Sequence, residues 1–494
     1  MAELLKRLAA SGLAYQSASL LAALLALFTL PLYTRNLTRE DFGYAETLLT
    51  IVILTSILLR AGMGEAFVRH WFDDEHAERR RHLARATTSF VLVSTTVALV
   101  AGVLLAGPLS RLVLGTHDAT LMAFGVLGVW TFTNLEVTYA LLRVEERRRP
   151  YLIASAANVV LTVTLTVLLV VVFDTGARGY VVGNYAASGV VLLGLWLLAV
   201  REHIGPPARG AVALAPLLRF GAPTVPADAA IFLLNVIDRA YLLRVESPAA
   251  AGLYSVAVKL ATAVIVVVRA FQLAWPPLAY SVTDDEQARR LYARVTSGYV
   301  VLAALAVAGF ALLGRWVVRL LAAPAFFEAH TALPWLALGW ALYGLHLVLV
   351  SIAGRMKLTV RTLPAALVGL VVNVVALVVL TGPLDIEGAA IALVAAYVAS
   401  LAVLHLLLRR AFPVPFEWAR VTRAVAVVGV LALAGELLLP AGGAAGFAAR
   451  LALWLALAPT LVAAGVVTPA ELRRLRGALG AGRRGSASAP APGG

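Results

Sequence analysis

The 494-residue chain has no cysteine, which excludes a disulfide framework, thiol chemistry and thiolate metal sites. Charge is scarce as well, with Asp, Glu, Lys and Arg making up 14% of the residues. No P-loop, nucleophile motif or His/Asp/Glu metal spacing is present. ATP is therefore not expected as a direct driver, and no cofactor is expected. Long hydrophilic loops are also missing. The longest, roughly residues 67–85, is too short for a soluble domain.

What remains is apolar. At 61% hydrophobic residues, a soluble domain would expose large greasy patches to water, so the chain reads as an all-α integral membrane protein. Runs of about 20 apolar residues recur throughout. They predict fourteen spans at roughly 10–33, 43–66, 86–107, 119–142, 151–173, 178–200, 217–243, 249–275, 296–314, 331–354, 363–381, 388–408, 421–439 and 447–467. The first run follows Lys6 and Arg7, but it is longer than the about 7 to 15 residues of a signal h-region and lacks a clear cleavage site. It is expected to be a retained span. The end, RRGSASAPAPGG, has the composition of a disordered tail.

The net charge of +14 raises the possibility of nucleic acid, and the placement of the charges argues against it. Most of the 41 Lys and Arg fall in the N-terminus, the even-numbered loops and the tail. That asymmetry places both termini in the cytoplasm, and the basic excess becomes an orientation signal with affinity for anionic membrane lipids. The arginines at 79–81 and 147–149 are expected to hold loops at that face.

The segments RHLARATTSF (Arg81 to Phe90) and RLYARVTSGY (Arg290 to Tyr299) are nearly the same text, 209 residues apart. The same shift sets Arg35 on Arg244, Gly43 on Gly252, Arg60 on Arg269, Gly179 on Gly388 and Arg201 on Arg410. Small insertions then bring Asn158 onto Asn373. The chain is two copies of a six-helix unit with two helices appended. The expected divisions are 1–205, 206–412, helices 13 and 14 over 413–467, and the tail 468–494. Six is even, so both copies enter from the same side and are related by a pseudo-two-fold axis along the membrane normal. Parallel repeats of this kind are known from transporters that rock one half against the other.

The stretch LLRFGAPTVPADAAIFLLNVIDRAYLLRVESPAAAGLYSVAVKLATAV, residues 217–264, resembles the seventh and eighth helices of the polysaccharide transporter branch of the MOP exporter superfamily. Its counterpart LPLYTRNLTREDFGYAETLLT, residues 30–50, resembles the first hairpin. The specific parts are Asp238-Arg239 near the end of a Pro-interrupted helix, then Gly252-Leu253-Tyr254 and Lys259. The resemblance implies two six-helix lobes around a central cavity in a bacterial inner membrane. It also implies alternating access that moves undecaprenyl-pyrophosphate-linked oligosaccharide between leaflets, in a pathway shared with polysaccharide polymerase machinery.

Ionisable side chains within a bilayer normally face a wet cavity or a partner. Arg60 and Arg269 are repeat mates about 9 Å inside the cytoplasmic boundary, a depth suited to gripping a pyrophosphate or to snorkelling. Asp238 and Lys259 fall at similar depth on consecutive helices and are expected to meet as an ion pair or a gating switch. Their repeat mates are Thr29 and Thr50. Arg239 points about 100° away from Asp238, toward the cavity. Glu136, near Asn134, and Asp228 are candidates for H+ or Na+ coupling, with hydrogen-bonded interhelical acids as the simpler role. Pro223 and Pro226 predict a kink that serves as a hinge. His346 and His405 read as packed side chains.

Three rival functions follow. Multidrug exporters of the superfamily commonly carry an acid in the first helix, and Ser11 to Leu32 contains none. Lipid II flippases typically carry several Arg in the first two helices, whereas Arg60 alone lies well within them here. A membrane glycosyltransferase or polymerase would fit the acids of Arg39-Glu40-Asp41, but it needs a sizeable outer loop. The reading is a transporter, not an enzyme.

Overall fold

The computed structural model describes residues 25–72, 76–206, 214–282 and 284–468. Most of the expected first span and nearly all of the expected tail lie outside these residues. Among the described residues the regular elements are all helices, and twelve are long and apolar enough to cross a membrane. This is a multi-pass membrane protein. The expected fourteen spans and the observed twelve helices differ for two reasons. The first span is described only over its last part, and the eleventh and twelfth join in one helix, Thr362–Leu408. Asp385, at φ 49° and ψ −131°, breaks that helix. Its two halves fold back on each other, since a Cβ on Gly369 would lie 3.1 Å from both Ala396 O and Ser400 Cβ.

The first copy comprises α1 (residues 25–36), α2 (Arg39–Arg60), a short α3 (Met63–Trp71), α4 (Ala77–Leu104), α5 (Ala119–Val144), α6 (Arg148–Val167) and α7 (Gly176–Leu198). The second begins with α8 (Leu214–Gly221), α9 (Val225–Leu234) and α10 (Ile237–Tyr241). It continues with α11 (Pro248–Ser281), α12 (Asp285–Leu321), α13 (Leu333–Arg355) and α14, the folded-back Thr362–Leu408. The appended pair is α15 (Trp418–Leu438) and α16 (Gly443–Ala463).

Local sequence fixes where these helices start. Thr38 and Asp41 form a reciprocal capping box at α2, and Asp118, Ser247 and Asp284 cap α5, α11 and α12 through their side chains. Each cap occupies an N–H group left without an intrahelical partner. The repeat is visible in the backbone. Glu146 and Asp174 in the first copy and Lys357 and Asp385 in the second all have positive φ. Arg147 donates to Ala199 O at 2.6 Å in one copy, and Arg361 donates to Leu407 O at 2.5 Å in the other. Each arginine thereby occupies a free carbonyl at a helix C-terminus. Arg80, Arg81 and Arg85 have defined partners beyond a general hold on their loop. Arg81 and Arg85 both donate to Glu202 O, and Arg80 donates to Trp71 O.

The seventh span is broken twice. Pro223 sits in a 3-10 turn, Ala222–Thr224, and Pro226 is in the first turn of α9, as a Pro-interrupted helix requires. A second break at Asn235 and Val236 was not visible in the sequence. Val236 has φ −141° there.

The appended helices are tied together by Arg450, which is fully buried. Its guanidinium donates to Glu436, to Pro440 O at 3.1 Å and to Leu439 O at 3.2 Å. Arg315 of α12 reaches the same carboxylate at 2.8 Å. Arg450→Leu would leave the Pro440 and Leu439 carbonyls unpaired and Glu436 with Arg315 alone, at a cost of about 3 kcal/mol. The expected result is a clearly lower unfolding temperature in detergent, with much of the loss relieved in Arg450→Leu/Glu436→Leu.

Candidate functional site

The two copies meet along α2 and α11, and the contact is symmetric. A Cβ on Gly43 would lie 2.0 Å from Pro248 O, and a Cβ on its repeat mate Gly252 would lie 1.9 Å from Arg39 O. Only glycine allows the two backbones this close. Nearer the outer end, Arg39 pairs with Glu328 at 3.0 Å, Thr34 Oγ1 accepts from Ala323 N at 3.0 Å, and Phe42 meets Phe326 edge-on. At the inner end, Gly62 and Gly221 approach so closely that a Cβ on either would strike the other's carbonyl oxygen at 2.0–2.1 Å.

One turn inward from Gly43, α2 carries Glu46, which is 5% exposed. Lys259 Nζ of α11 lies 2.9 Å from Glu46 Oε1, and Arg239 Nη1 of α10 lies 3.6 Å from Oε2. Tyr180 OH of α7 donates to Oε1 at 2.7 Å. Arg239 also donates to Thr50 Oγ1 at 3.1 Å. The carboxylate of one copy is thus held by two cations of the other.

The expected contact between Asp238 and Lys259 is therefore corrected. Asp238, 1% exposed, accepts from Tyr254 OH and from the Arg239 backbone N–H, while Lys259 is drawn across the interface to Glu46. The reason is charge balance. Asp238 is one acid beside two cations, Arg239 and Lys259, and Glu46 lies within reach of both on the facing helix. Sequence reading missed Glu46 because it falls near the outer edge of its span. The signal that would have found it is that same count of one acid against two cations.

The other predicted residues fall elsewhere. Arg60 is half-buried in the last turn of α2 and donates to Ser56 O at 3.4 Å. Asp228 is exposed on α9, with Arg60 and Glu65 as charged neighbours. The Arg269 side chain lies outside the described residues. Glu136 is half-buried on α5, while Asn134 turns away to donate to Thr95 Oγ1 and Trp130 O. His346 is buried, with the Ser400 hydroxyl 3.4 Å away, and His405 lies between Phe416 and Trp418. Both are packed as expected. No group of three or more His, Asp or Glu that could hold a metal ion occurs among the described residues.

Beside Glu46 lies a cavity of about 310 Å³ within the first copy. Thr29 and Tyr33 of α1, Asn158 and Thr162 of α6, and Asn184 and Ser188 of α7 line it, and Lys259 reaches in from the second copy.

Paired six-helix copies joined by glycine contacts, with ionised groups shared across the join, define a membrane protein of the flippase and multidrug-transporter fold. Residues 8–280 match the family model described as "Polysaccharide biosynthesis protein", and the chain belongs to that family. Among solved structures, it is similar to the lipid II flippase MurJ in an inward closed conformation. The TM-score is 0.74 at 12% identity, over 90% of this chain and 97% of that one. It is also similar to an inward-facing multidrug resistance MATE transporter of the MOP superfamily, with TM-score 0.66, 16% identity and coverage of 81% and 94%. The bent form of the Vibrio cholerae MATE transporter VcmN gives 0.54 at 17% identity, over 86% and 98%. No curated protein matches.

Proposed function

We propose that the chain flips undecaprenyl-pyrophosphate-linked oligosaccharide from the cytoplasmic to the outer leaflet of a bacterial inner membrane, for assembly of a surface polysaccharide. Residues 1–205 and 206–412 are the moving halves, both termini are cytoplasmic, and polymerase machinery receives the product. The observation that carries this reading is the buried Glu46 shared with Lys259 and Arg239. Charges buried across an interface, rather than within one half, suit a contact that is made and broken during a cycle. Membership of a polysaccharide biosynthesis family supports a substrate of this class.

In this reading Arg60 and Arg269 receive the pyrophosphate at the inner end, and Arg239 joins them from the interface. Guanidinium forks match phosphate oxygens. Asp238 and Lys259 gate, Pro223 and Pro226 hinge the seventh span, and Glu136 and Asp228 are the acids available for H+ or Na+ coupling. The test is reconstitution in liposomes with a fluorescent undecaprenyl-pyrophosphate sugar. Exchange between leaflets is expected to depend on the protein and to fall about tenfold or more in Arg60→Ala/Arg269→Ala. Absence of exchange above empty liposomes, with ion gradients supplied, would move the reading to an exporter of soluble compounds.

A further inference from the structure

The internal repeat provides a control for which buried polar residues the fold needs. Asn184 has Leu393 as its counterpart, Ser188 has Tyr397, Tyr180 has Ala389 and Thr162 has Leu377. In the second copy these four belong to the continuous apolar core. In the first copy their equivalents border the 310 Å³ cavity. Polar groups inside a membrane protein are costly unless paired, and the second copy shows that the six-helix unit assembles without Asn184, Tyr180 and Thr162; Asn158 keeps an asparagine, Asn373, as its counterpart, and Tyr397 at the place of Ser188 donates to Asn235.

Part of the hydrogen-bonding capacity here is unused. Asn184 Nδ2 donates to Tyr180 O at 2.8 Å, and Asn158 Oδ1 has the Ser188 hydroxyl at 3.4 Å. Asn184 Oδ1 and Asn158 Nδ2 have no protein partner among the described residues. Both asparagines line the cavity together with Tyr33 and Tyr185, whose rings offer apolar faces with polar tips. The one charged lining group among the described residues, Lys259, is already neutralised by Glu46. Amides, hydroxyls and aromatic faces without net charge match an uncharged sugar ring, whose edges carry hydroxyls and whose faces carry C–H groups. The volume lies at the low end of the about 300–1,000 Å³ of small-molecule sites, enough for one ring.

We infer that the cavity of the first copy is a subsite for one uncharged sugar of the lipid-linked glycan, read by Asn158, Asn184 and Ser188. The inference rests on the flippase reading, and its test separates the two. The probes are a polyprenyl pyrophosphate carrying a single neutral hexose and the same polyprenyl pyrophosphate without sugar. Equilibrium binding is measured to the full chain in nanodiscs. Wild type is expected to bind the glycosylated lipid about tenfold more tightly than the bare lipid, the yield of one or two neutral hydrogen bonds. Asn184→Leu, which copies the second repeat, should erase that difference and leave affinity for the bare lipid unchanged. Asn158→Leu provides an independent variant should Asn184→Leu fail to fold.

Equal affinity of wild type for both lipids would overturn the subsite, as would a preference that survives both substitutions. Leaflet exchange is measured separately on the same preparations. Sugar-dependent binding without exchange would keep the subsite and refute the flippase, whereas exchange without sugar-dependent binding would do the reverse.

Discussion

Glu46→Leu is expected to abolish leaflet exchange and to separate the two copies at their outer end. Removing the carboxylate leaves Lys259 and Arg239, with side chains 23% and 14% exposed, as facing cations without their shared counter-ion. Breaking a buried pair by deleting one partner costs about 3–5 kcal/mol, chiefly for the charge left behind. On an equilibrium between interface-closed and interface-open states, that is about 10² to 10³-fold in favour of opening. The absence of native cysteine makes the measurement direct. Spin labels on Asn36→Cys and Thr331→Cys, both exposed near the outer end, should report a longer and broader distance distribution in the variant. Glu46→Leu/Lys259→Leu removes one charge of each sign and should recover much of the closed population, because the remaining Arg239 keeps Thr50 as a hydrogen-bond partner. An unchanged distribution in Glu46→Leu would show that the cluster does not hold the interface.

How much of this could be read from the sequence depends on which residues carry it. The duplication was legible because the inner-face arginines and helix-turn glycines kept their identity in both copies. Gly43 and Gly252 were paired by sequence alone, and they prove to sit at a close backbone approach between the copies. The Pro-broken seventh helix was legible too, since proline acts on its own backbone whatever surrounds it. The partner of Lys259 was not. Periodicity and repeat register locate a side chain in depth along the membrane normal, but they say nothing about which neighbouring helix stands opposite. Asp238 and Glu46 lie at comparable depth, and only the α2–α11 packing gives Lys259 to Glu46. The polar cavity was hidden for a related reason. Asn158, Asn184 and Ser188 are unremarkable singly within apolar spans, and they become a site once α6 and α7 are folded side by side.

The symmetry itself can be tested at the glycines. In Gly43→Val the new Cβ would sit 2.0 Å from Pro248 O, a backbone atom that cannot rotate away. The helices must then part by about 1.5 Å to restore van der Waals contact. That displacement loosens the outer seal of Arg39 with Glu328 and Phe42 with Phe326, and it pulls Lys259 off Glu46. Gly43→Val is therefore expected to lower exchange about as far as Glu46→Leu does, with the same lengthening between the spin labels. Because Gly252 meets Arg39 O as Gly43 meets Pro248 O, Gly252→Val should give the same phenotype. Gly64→Ala adds a Cβ with nothing within 4 Å and should behave as wild type. Matching defects at the two repeat mates would identify the α2–α11 crossing as the pivot on the pseudo-two-fold axis. A defect at one glycine with wild-type behaviour at the other would mean that the halves rock about a different line, and that the charge cluster beside them is a latch on one side rather than part of the pivot.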